Sequence, residues 1–588
     1  MWTLSTCHNT TVFYDPATRV CMHAEAPLEG WTPVHLWSED RVHGLLVPDC
    51  DDAVHHIKPV RIRFYNETQG VLLSAKCGLD ERLLSAVPEG SDPWAYIEWV
   101  ELAGPWEMVT IHEAPDWTTV HEKSLRVFSA LIAEGPGPAD IVNRTTDATA
   151  ARGYLAFQDF PYLDSLGREA VKQPGGKFMR RLGASAKNLA VRHAYQSLAD
   201  WIENRDFAEP IDHLGPDFNV FEPWPTLTLF GNPQFEIDYE IVSRMRQHIK
   251  PRKGACVVAT LRNEGPYILE WLAYHMSLGF EHFFLYTNDN EDGSDDLLAA
   301  LAELGHVTLI TNDARNARPQ YKAYGHAFKA LPHILDYEWA LVIDCDEFLV
   351  LASDRGFSDI RHYLDWICIR PADAIGFNWL MFRSFGIEEG DLNKPVTRRF
   401  LQRVEKVDMH IKSMLRPRYF THSHAHYGFE ITGRRTPFLN SNGDVHLHGS
   451  EKAYSDYPFA NAAWINHYYT KSDQEYCGKI ARRPGDMHSS QVRSLDEIER
   501  MLGTLQHADA VDLPIKDERI LNWLEAAEGL AAKILTNPRV RAAYEASIAN
   551  QRDHLEALAR QIAAQRSRRT GSQTTTPVTS EDASASAN

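Results

Sequence analysis

The sequence predicts an α/β fold, in which a mostly parallel sheet has helices on both faces, with a β-rich N-terminal module and C-terminal helices. Four short apolar runs, at residues 254–261, 283–286, 307–310 and 339–343, have the length and the β-branched and aromatic content of buried strands. Helical patterns separate them. Strands that alternate with helices form parallel sheets, and ligands bind outside the carboxyl ends of such strands.

The first unit begins with the strand at residues 254–261. The residues RNEGP follow it, with Gly265 expected at a helix N-cap and Pro266 at the first helical position. An apolar stripe at helical spacing then predicts a helix that packs on the sheet. The members of this stripe are Ile268, Leu269, Leu272 and Met276.

The second strand, at residues 283–286, ends in a polar loop at residues 287–296. Two interpretations of this loop stay open. It is either an Asx-rich turn that caps the next helix, or a surface that binds a ribose and a base at the carboxyl end of a parallel strand. A helix at residues 295–304 then leads through Gly305 to the third strand at residues 307–310.

Two carboxylates follow the fourth strand. Asp344 and Asp346 stand two positions apart directly behind residues 339–343, so an extended chain places them on one face. Such oxygen ligands hold hard cations such as Mn²⁺ or Mg²⁺, and a cation there clamps a diphosphate leaving group. Asp346 is the expected direct ligand. Asp344 either joins it or contacts the ribose or a metal-bound water.

Basic residues downstream are candidates for contacts to diphosphate oxygens. They are Lys412, Arg416, Lys471 and Lys479. For each of them taken singly, a solvated surface charge is the alternative.

Six elements in order resemble the family 2-like glycosyltransferases that border on family 92. They are residues 260–264 with 270–275 and 278–283, Gln320 with Tyr324, 344–348, 376–379 with Phe382, 412–417 with 421–426, and 466–472 with Glu475 and Lys479. The resemblance extends over roughly residues 254 to 486. It implies a GT-A-like fold and a metal-dependent hexosyltransferase that uses a nucleotide-sugar donor with inversion at the anomeric carbon.

The resemblance also implies roles for individual residues. It places a histidine in the closing motif, so His467 is a candidate metal ligand beside Asp344 and Asp346, with a hydrogen-bonded core histidine as the alternative. The residues expected to bind the donor are Thr260, Asn263, Glu264, Asn288, Asp344, Lys412, Arg416 and Lys471.

An inverting transfer also needs a base that takes the proton of the acceptor hydroxyl. Glu430 is the first candidate, and Asp408 is the second; the histidines 424 and 426 are further candidates. The chain departs from the family at two places. Thr287 stands where an acidic residue is usual, and residues 383–386 replace a smaller stretch rich in glycine and serine.

Other classes of function remain open. One is a non-catalytic glycan-binding protein, and the other is a nucleotidyltransferase with the same sheet and carboxylate pair. Residues 466–472 favour sugar transfer. A dehalogenase-type phosphatase is disfavoured because Phe348 stands where it needs threonine or valine. Residues 288–296 lack the closing glutamate of a calcium loop.

The net charge of −20 over 588 residues argues against a nucleic-acid partner. The eight cysteines show no framework spacing, which predicts reduced thiols and a cytoplasmic location. No apolar run reaches the length of a membrane span. The expected acceptor is a glycan or a lipid-linked sugar, and the latter is compatible with peripheral membrane association.

The predicted organisation has five parts. They are a β-rich, trefoil-like module at 1–120, mixed helix and loop at 121–245, the GT-A-like catalytic domain at 250–490, a helical region at 491–566 and a disordered tail at 567–588. Since all recognisable motifs follow residue 254, a chain that begins near Pro233 is expected to bind the nucleotide on its own.

Overall fold

The computed structural model describes most of the chain. The described residues are 2–6, 8, 10–15, 20–38, 42–48, 58–64, 70–77, 80–86, 94–100, 108–113, 122–186, 188–218, 220, 237–313, 318–431, 433–434, 436–482 and 493–573. No helix within these ranges is long and apolar enough to cross a lipid bilayer. Most of the predicted tail, residues 574–588, lies outside them.

Ten antiparallel strands form the N-terminal module. They are β1 (Trp2–Ser5), β2 (Thr11–Asp15), β3 (Val20–Ala24), β4 (Thr32–Trp37), β5 (His43–Pro48), β6 (Lys58–Phe64), β7 (Gly70–Cys77), β8 (Asp80–Ala86), β9 (Trp94–Val100) and β10 (Met108–Glu113). The strands β1, β4, β5, β6, β7 and β10 pair in that order, and β10 pairs back to β1. This ring of strands encloses an apolar cluster that includes Leu4, Leu36, Val60 and Leu73. The trefoil-like repeat stays a prediction.

Helices dominate the next part of the chain. They are α1 (Glu122–Glu134), α2 (Pro138–Arg144), α3 (Ala148–Leu155), α4 (Phe160–Lys172), α5 (Lys177–Ser185), α6 (Leu189–Glu203) and α7 (Ile237–Arg246), with the short strand β11 (His213–Leu214) between the last two. Side-chain caps begin several of them. Asn188, for example, accepts hydrogen bonds from the backbone N–H groups of Ala190 and Val191 at the start of α6.

The central sheet has ten strands. Besides β11 they are β12 (Lys253–Leu261), β13 (His282–Thr287), β14 (Val307–Asn312), β15 (Tyr337–Val342), β16 (Glu347–Leu351), β17 (Ala374–Met381), β19 (Ile411–Leu415), β22 (Phe438–Asn440) and β23 (Ala463–His467). The strands β11, β14, β13, β12 and β15 lie side by side in this order, and all are parallel. The predicted mostly parallel sheet is confirmed.

The other half of the sheet is mixed. Strand β19 pairs antiparallel with both β15 and β17, and β23 pairs parallel with β17 and antiparallel with β16. Two short pairs lie outside the sheet. They are β18 (Gln402–Val404) with β24 (Pro514–Lys516), and β20 (Phe420–Ser423) with β21 (Gly428–Glu430).

Nine more helices follow α7 in the described residues. They are α8 (Gly265–Ser277), α9 (Ser294–Ala302), α10 (Pro319–Gly325), α11 (Ile360–Ile367), α12 (Val396–Arg399), α13 (Asp473–Ala481), α14 (Leu495–Val511), α15 (Leu524–Ile534) and α16 (Pro538–Gln573). Two differ from prediction. Glu264 is the N-cap of α8, which moves Gly265 into the first turn. Helix α16 extends to Gln573, so the first residues of the predicted tail are helical.

Both faces of the sheet are buried, and different parts of the chain cover them. Val257 on β12 packs in one cluster with α8 and the C-terminal helices. Val258, which points the other way, packs with α6 and α7. Because the N-terminal half supplies this second cover and the edge strand β11, a chain that begins near Pro233 would lack part of the core. The expectation that such a chain binds nucleotide alone therefore loses its physical basis.

Helix α16 crosses the start of α8 so closely that Gly265 cannot carry a side chain without movement. A Cβ at Gly265 would lie 2.6 Å from Cβ of the buried Ser547, so Gly265→Ala is expected to destabilise the protein by about 1–3 kcal/mol through overpacking. Urea unfolding measures the change. The matched control is Gly529→Ala on α15, where no atom lies within 4 Å and alanine should stabilise by about 0.5–1 kcal/mol. Equal effects of the two changes would contradict the close packing.

Candidate active site

Strand β15 ends in a tight turn that carries both carboxylates. The backbone N–H of Glu347 donates to the carbonyl of Asp344 (3.1 Å), and the N–H of Asp344 donates to the Glu347 side chain (3.1 Å). The chain then re-enters the sheet as β16. The turn fixes Asp344 and Asp346 at the carboxyl end of the parallel strands, where the topology predicts a ligand.

His467 reaches Asp346 because β23 pairs with β16. The register places Glu347 opposite His467, and His467 Nε2 lies 3.6 Å from Asp346 Oδ2. Lys479, from α13, forms an ion pair with the same oxygen. Burial works against the charge of Asp346, but Lys479 and His467 outweigh it and hold the pKa of this carboxyl well below its usual range. Burial lowers the pKa of His467 and so favours neutral imidazole.

Lys412 occupies the other side of the carboxylate pair. Its side chain is fully buried on β19, with Nζ 2.7 Å from Asp344 Oδ2 and 3.4 Å from Glu347 Oε2. Burial opposes the charge of Lys412, yet the two carboxylates raise its pKa and keep it protonated. Burial raises the pKa of Glu347 well above its usual range, and Asp344 adds to this rise. Lys412 thus lies between the carboxyl groups of Asp344 and Glu347.

Further cations gather at the start of α13. Lys471 is buried in a left-handed conformation (φ 53°), with Nζ 4.3 Å from the centre of the Tyr267 ring. Burial lowers its pKa, which Glu264 and Asp346 partly offset. Arg482 forms an ion pair with Glu264 and donates to the carbonyl of Asn263 (2.8 Å). The loop after β12 is thus tied to α13.

The loop after β13 is held by side-chain amides. Asn290 Oδ1 accepts from the N–H of Asn263 (2.7 Å), and Asn263 Oδ1 accepts from the N–H of Glu291 (2.7 Å). Thr287 Oγ1 donates to Oδ1 of Asp295 (2.7 Å), which lies in the first turn of α9 and also accepts from Asn290 Nδ2 (2.7 Å). Asp295 therefore holds this loop, while nucleotide binding there stays a prediction.

The structure brings most of the predicted residues together. Those at the carboxyl edge of β12, β13 and β15 or beside it are Thr260, Asn263, Glu264, Asn288, Asp344, Asp346, Lys412, His467 and Lys471.

Arg416 is not brought to this edge. Leu415 pairs with Ala340 near the start of β15, and the neighbouring Arg416 stacks on Trp339 (4.3 Å) and pairs with Glu338. Strand β19 runs antiparallel to β15 and carries Arg416 away from the carboxyl end, so the geometry gives its donor-binding role no support and that role stays a prediction.

The structure places the two candidate bases, Glu430 and Asp408, in different environments. Glu430 is exposed on β21 and pairs with Phe420, and its charged neighbours Lys452 and Arg434 are not among the site residues. Asp408 lies three residues before β19, the strand that carries Lys412, and it accepts a hydrogen bond from His410 Nδ1 (2.6 Å). The geometry supports Asp408 as part of the site and gives no support to Glu430.

Three site residues had no role assigned from the sequence: Glu347, Arg482 and Trp379. Glu347 adjoins the carboxylate pair, and its position on the following strand was the available signal. Arg482 follows Lys479 by three positions and directly follows α13, so its proximity to Lys479 in the sequence was the available signal. For Trp379, whose ring centre lies 4.4 Å from that of His467, only the resemblance pointed to this segment.

The side chains present fit a divalent cation in their chemistry. Asp344 Oδ1 and His467 Nδ1 are buried without a hydrogen-bond partner, and carboxylate and imidazole groups suit manganese. The spacing is not that of a closed ligand shell. Among the residues that the structure describes, no three acidic, histidine or cysteine side chains are grouped to hold a metal ion. The ammonium group of Lys479 is paired with Asp346 in this structure.

Comparison with known proteins supports a glycosyltransferase assignment for the central part of the chain. Residues 254–477 match the model of glycosyltransferase family 92, which confirms the resemblance drawn from the sequence.

Plant relatives agree with this assignment. A family 92 protein of rice (Oryza sativa subsp. japonica) is 30% identical over 185 residues, 30% of each chain, and one of Arabidopsis thaliana is 27% identical over 182 residues, 29% of each chain. One of Ricinus communis is 34% identical over 106 residues, 18% of each chain. The chain thus spans less than a third of the curated relatives that it matches.

A crystal structure of residues 1–349 of S. aureus TarS aligns with a TM-score of 0.21 and 13% identity, covering 52% of this chain and 91% of that one. A likeness at this level carries no argument.

Proposed function

We propose that the protein transfers a sugar from a nucleotide-sugar donor to the hydroxyl of a glycan or lipid-linked acceptor, with inversion and with Mn²⁺ or Mg²⁺. The observation that carries this proposal is that His467, from a distant part of the chain, lies 3.6 Å from Asp346, in the turn that also carries Asp344 at the carboxyl end of the parallel strands. The family 92 relatives support the class of reaction.

In this proposal Asp346 and His467 hold the cation, and Asp344 contributes its free oxygen. The metal supplies Lewis-acid neutralisation of the diphosphate. Buried His467 is kept neutral, which is the form that binds metals. Lys479 would exchange Asp346 for the diphosphate when the donor binds, since its side chain is partly exposed.

The remaining residues have positioning roles. Lys471, Arg482 and Lys479 are three cations beside the two carboxylates of Asp346 and Glu264, and this excess of positive charge favours a departing diphosphate. Thr260, Asn263, Glu264 and Asn288 line the ends of β12 and β13, where a nucleoside would lie. A net charge of −20 disfavours a nucleic-acid acceptor. The cytoplasmic location stays a prediction.

A calorimetric titration tests the donor site. Uridine and guanosine diphosphates are titrated with and without Mn²⁺ into wild type and His467→Ala. We expect His467→Ala to weaken the Mn²⁺-dependent binding about tenfold or more, because the ligand on β23 is lost. His362→Ala on the exposed side of α11 is the control and should bind as wild type does.

Two results would count against the proposal. If neither diphosphate binds to wild type with Mn²⁺, the nucleotide-sugar assignment fails and glycan binding without catalysis gains support. If His467→Ala melts earlier but binds donor normally, His467 is a packed core histidine.

A further inference from the structure

His410 and Lys412 point to the same face of the chain that becomes β19. Side chains alternate along a strand, so residues two apart share a face and lie about 6–7 Å apart. Lys412 at that face touches Asp344. His410 therefore lies two residues further along this face from the carboxylate pair than Lys412 does. About a third of the His410 side chain is exposed, and so is about a third of the Asp408 side chain. Its position is at the mouth of the site.

Asp408 fixes the orientation of His410. One carboxylate oxygen, Oδ1, accepts from both the backbone N–H (2.9 Å) and the ring Nδ1 of His410 (2.6 Å). Burial would raise the pKa of Asp408, but the His410 bonds outweigh it, so the carboxyl is ionised and can only accept. Nδ1 must then carry the ring proton. The other nitrogen, Nε2, is left as a proton acceptor.

Aromatic rings hold His410 in place beside the candidate metal ligands. Its ring stacks on Trp379 with centres 4.6 Å apart and planes 16° from parallel, and Tyr454 meets its other side edge-on at 4.6 Å. The same Trp379 ring lies 4.4 Å from the ring of His467. Asn378 anchors the segment from below, since its amide donates to the carbonyls of Asp408 and His410.

We propose that His410 is the general base of the transfer and that Asp408 is its positioning residue, so that an acceptor hydroxyl binds at the mouth of the site between His410 and the donor. This inference rests on the proposed function. It assigns a role to the Asp408 candidate different from the one expected from the sequence, because Asp408 is turned to His410 and acts through it.

In the transfer step, each bond that forms is matched by one that breaks. Nε2 of His410 takes the proton of the acceptor hydroxyl while the hydroxyl oxygen forms a bond to the anomeric carbon. The bond from that carbon to the diphosphate oxygen breaks, and its electron pair leaves with the nucleoside diphosphate. The imidazolium, stabilised by Asp408, returns the proton to solvent.

Neighbouring candidates are less suited. His426 Nδ1 is bound to the carbonyl of Ile411 (2.9 Å), and burial lowers the pKa of His426 to about 2. Glu430 has no contact to the carboxylate pair among the described residues. His410 is distinguished from both by an acidic partner and partial exposure.

The test uses the full chain, Mn²⁺, and a panel of UDP-glucose, UDP-galactose, UDP-N-acetylglucosamine and GDP-mannose, with water as the acceptor. Release of nucleoside diphosphate is measured for wild type, His410→Ala, His410→Phe and Asp408→Asn. We expect both His410 variants to lose about 100-fold or more in kcat, the range of general-base catalysis, with unchanged Kd for the diphosphate. The phenylalanine variant preserves the stack on Trp379. Added imidazole should restore part of the activity of His410→Ala.

The outcomes distinguish a failure of the proposed function from a failure of the base assignment. If wild type releases diphosphate from none of the four donors, the proposed function fails and the base assignment fails with it. If wild type is active and His410→Ala retains half of its kcat or gains nothing from imidazole, only the base assignment is overturned. His362→Ala serves as the matched histidine control and should keep the kcat of wild type.

Discussion

Replacing Lys412 with alanine is expected to be the most destabilising single change in the site. Lys412 is fully buried between Asp344 and Glu347, so its removal leaves an uncompensated carboxylate at the end of β15. Breaking a buried ion pair by removing one partner costs about 3–5 kcal/mol. Thermal unfolding should show this as a fall in melting temperature of roughly 6–20 °C.

Controls separate charge from packing. Lys412→Met retains most of the apolar stem and should still lose most of the stability, whereas Lys406→Ala at an exposed position should lie within about 0.5 kcal/mol of wild type. Combining Lys412→Met with Asp344→Asn should recover part of the loss, because the orphaned charge is gone. If Lys412→Ala has the same melting temperature as wild type, the buried ion pair does not stabilise the native state.

The second large effect is expected at Asp346. Asp346→Asn preserves shape but removes the charge that faces His467 and Lys479. Diphosphate binding should then become independent of Mn²⁺, and turnover of any donor that wild type uses should fall about 1,000-fold, the equivalent of several kcal/mol of lost charge stabilisation. Parallel calorimetry and kinetics measure the two parts.

Asp354→Asn is the matched control, since Asp354 is an exposed acid shortly after β16 and should change neither quantity. Retained Mn²⁺ dependence in a folded Asp346→Asn protein would remove Asp346 from the metal site. The stability of this variant should fall less than that of Lys412→Ala, because Lys479 is partly exposed and can return to water.

The sequence predicted the parallel half of the sheet well because each strand there is a local apolar run bounded by its own helix. Strands β12, β13, β14 and β15 begin and end within a few residues of prediction. The mixed half, β17, β19 and β23, was not predicted. Its pairing joins segments far apart in the chain, and no local pattern encodes which strand lies beside which.

The same limit explains which site residues were found. Asp344 and Asp346 could be predicted because a strand and its end are recognisable from the local sequence. Lys412 and Arg416 look equivalent in the sequence, yet they occupy opposite ends of β19, and only the direction of that strand relative to β15 tells them apart. No role was predicted for His410 because its stack on Trp379, which joins two different segments of the chain, cannot be read from the sequence.

The cover that the N-terminal half gives to the sheet has a consequence for synthesis of the chain. Helix α6 and strand β11 leave the ribosome before β15, the strand that completes the parallel half of the sheet. Roughly 130 residues separate Leu214 from Val342, and translation at about 5–20 residues per second needs roughly 6–25 s to produce them. During that interval Tyr195, Leu198 and Trp201 lack part of the core cluster in which they are buried. A nascent chain stalled before residue 342 therefore exposes apolar surface that the complete fold covers.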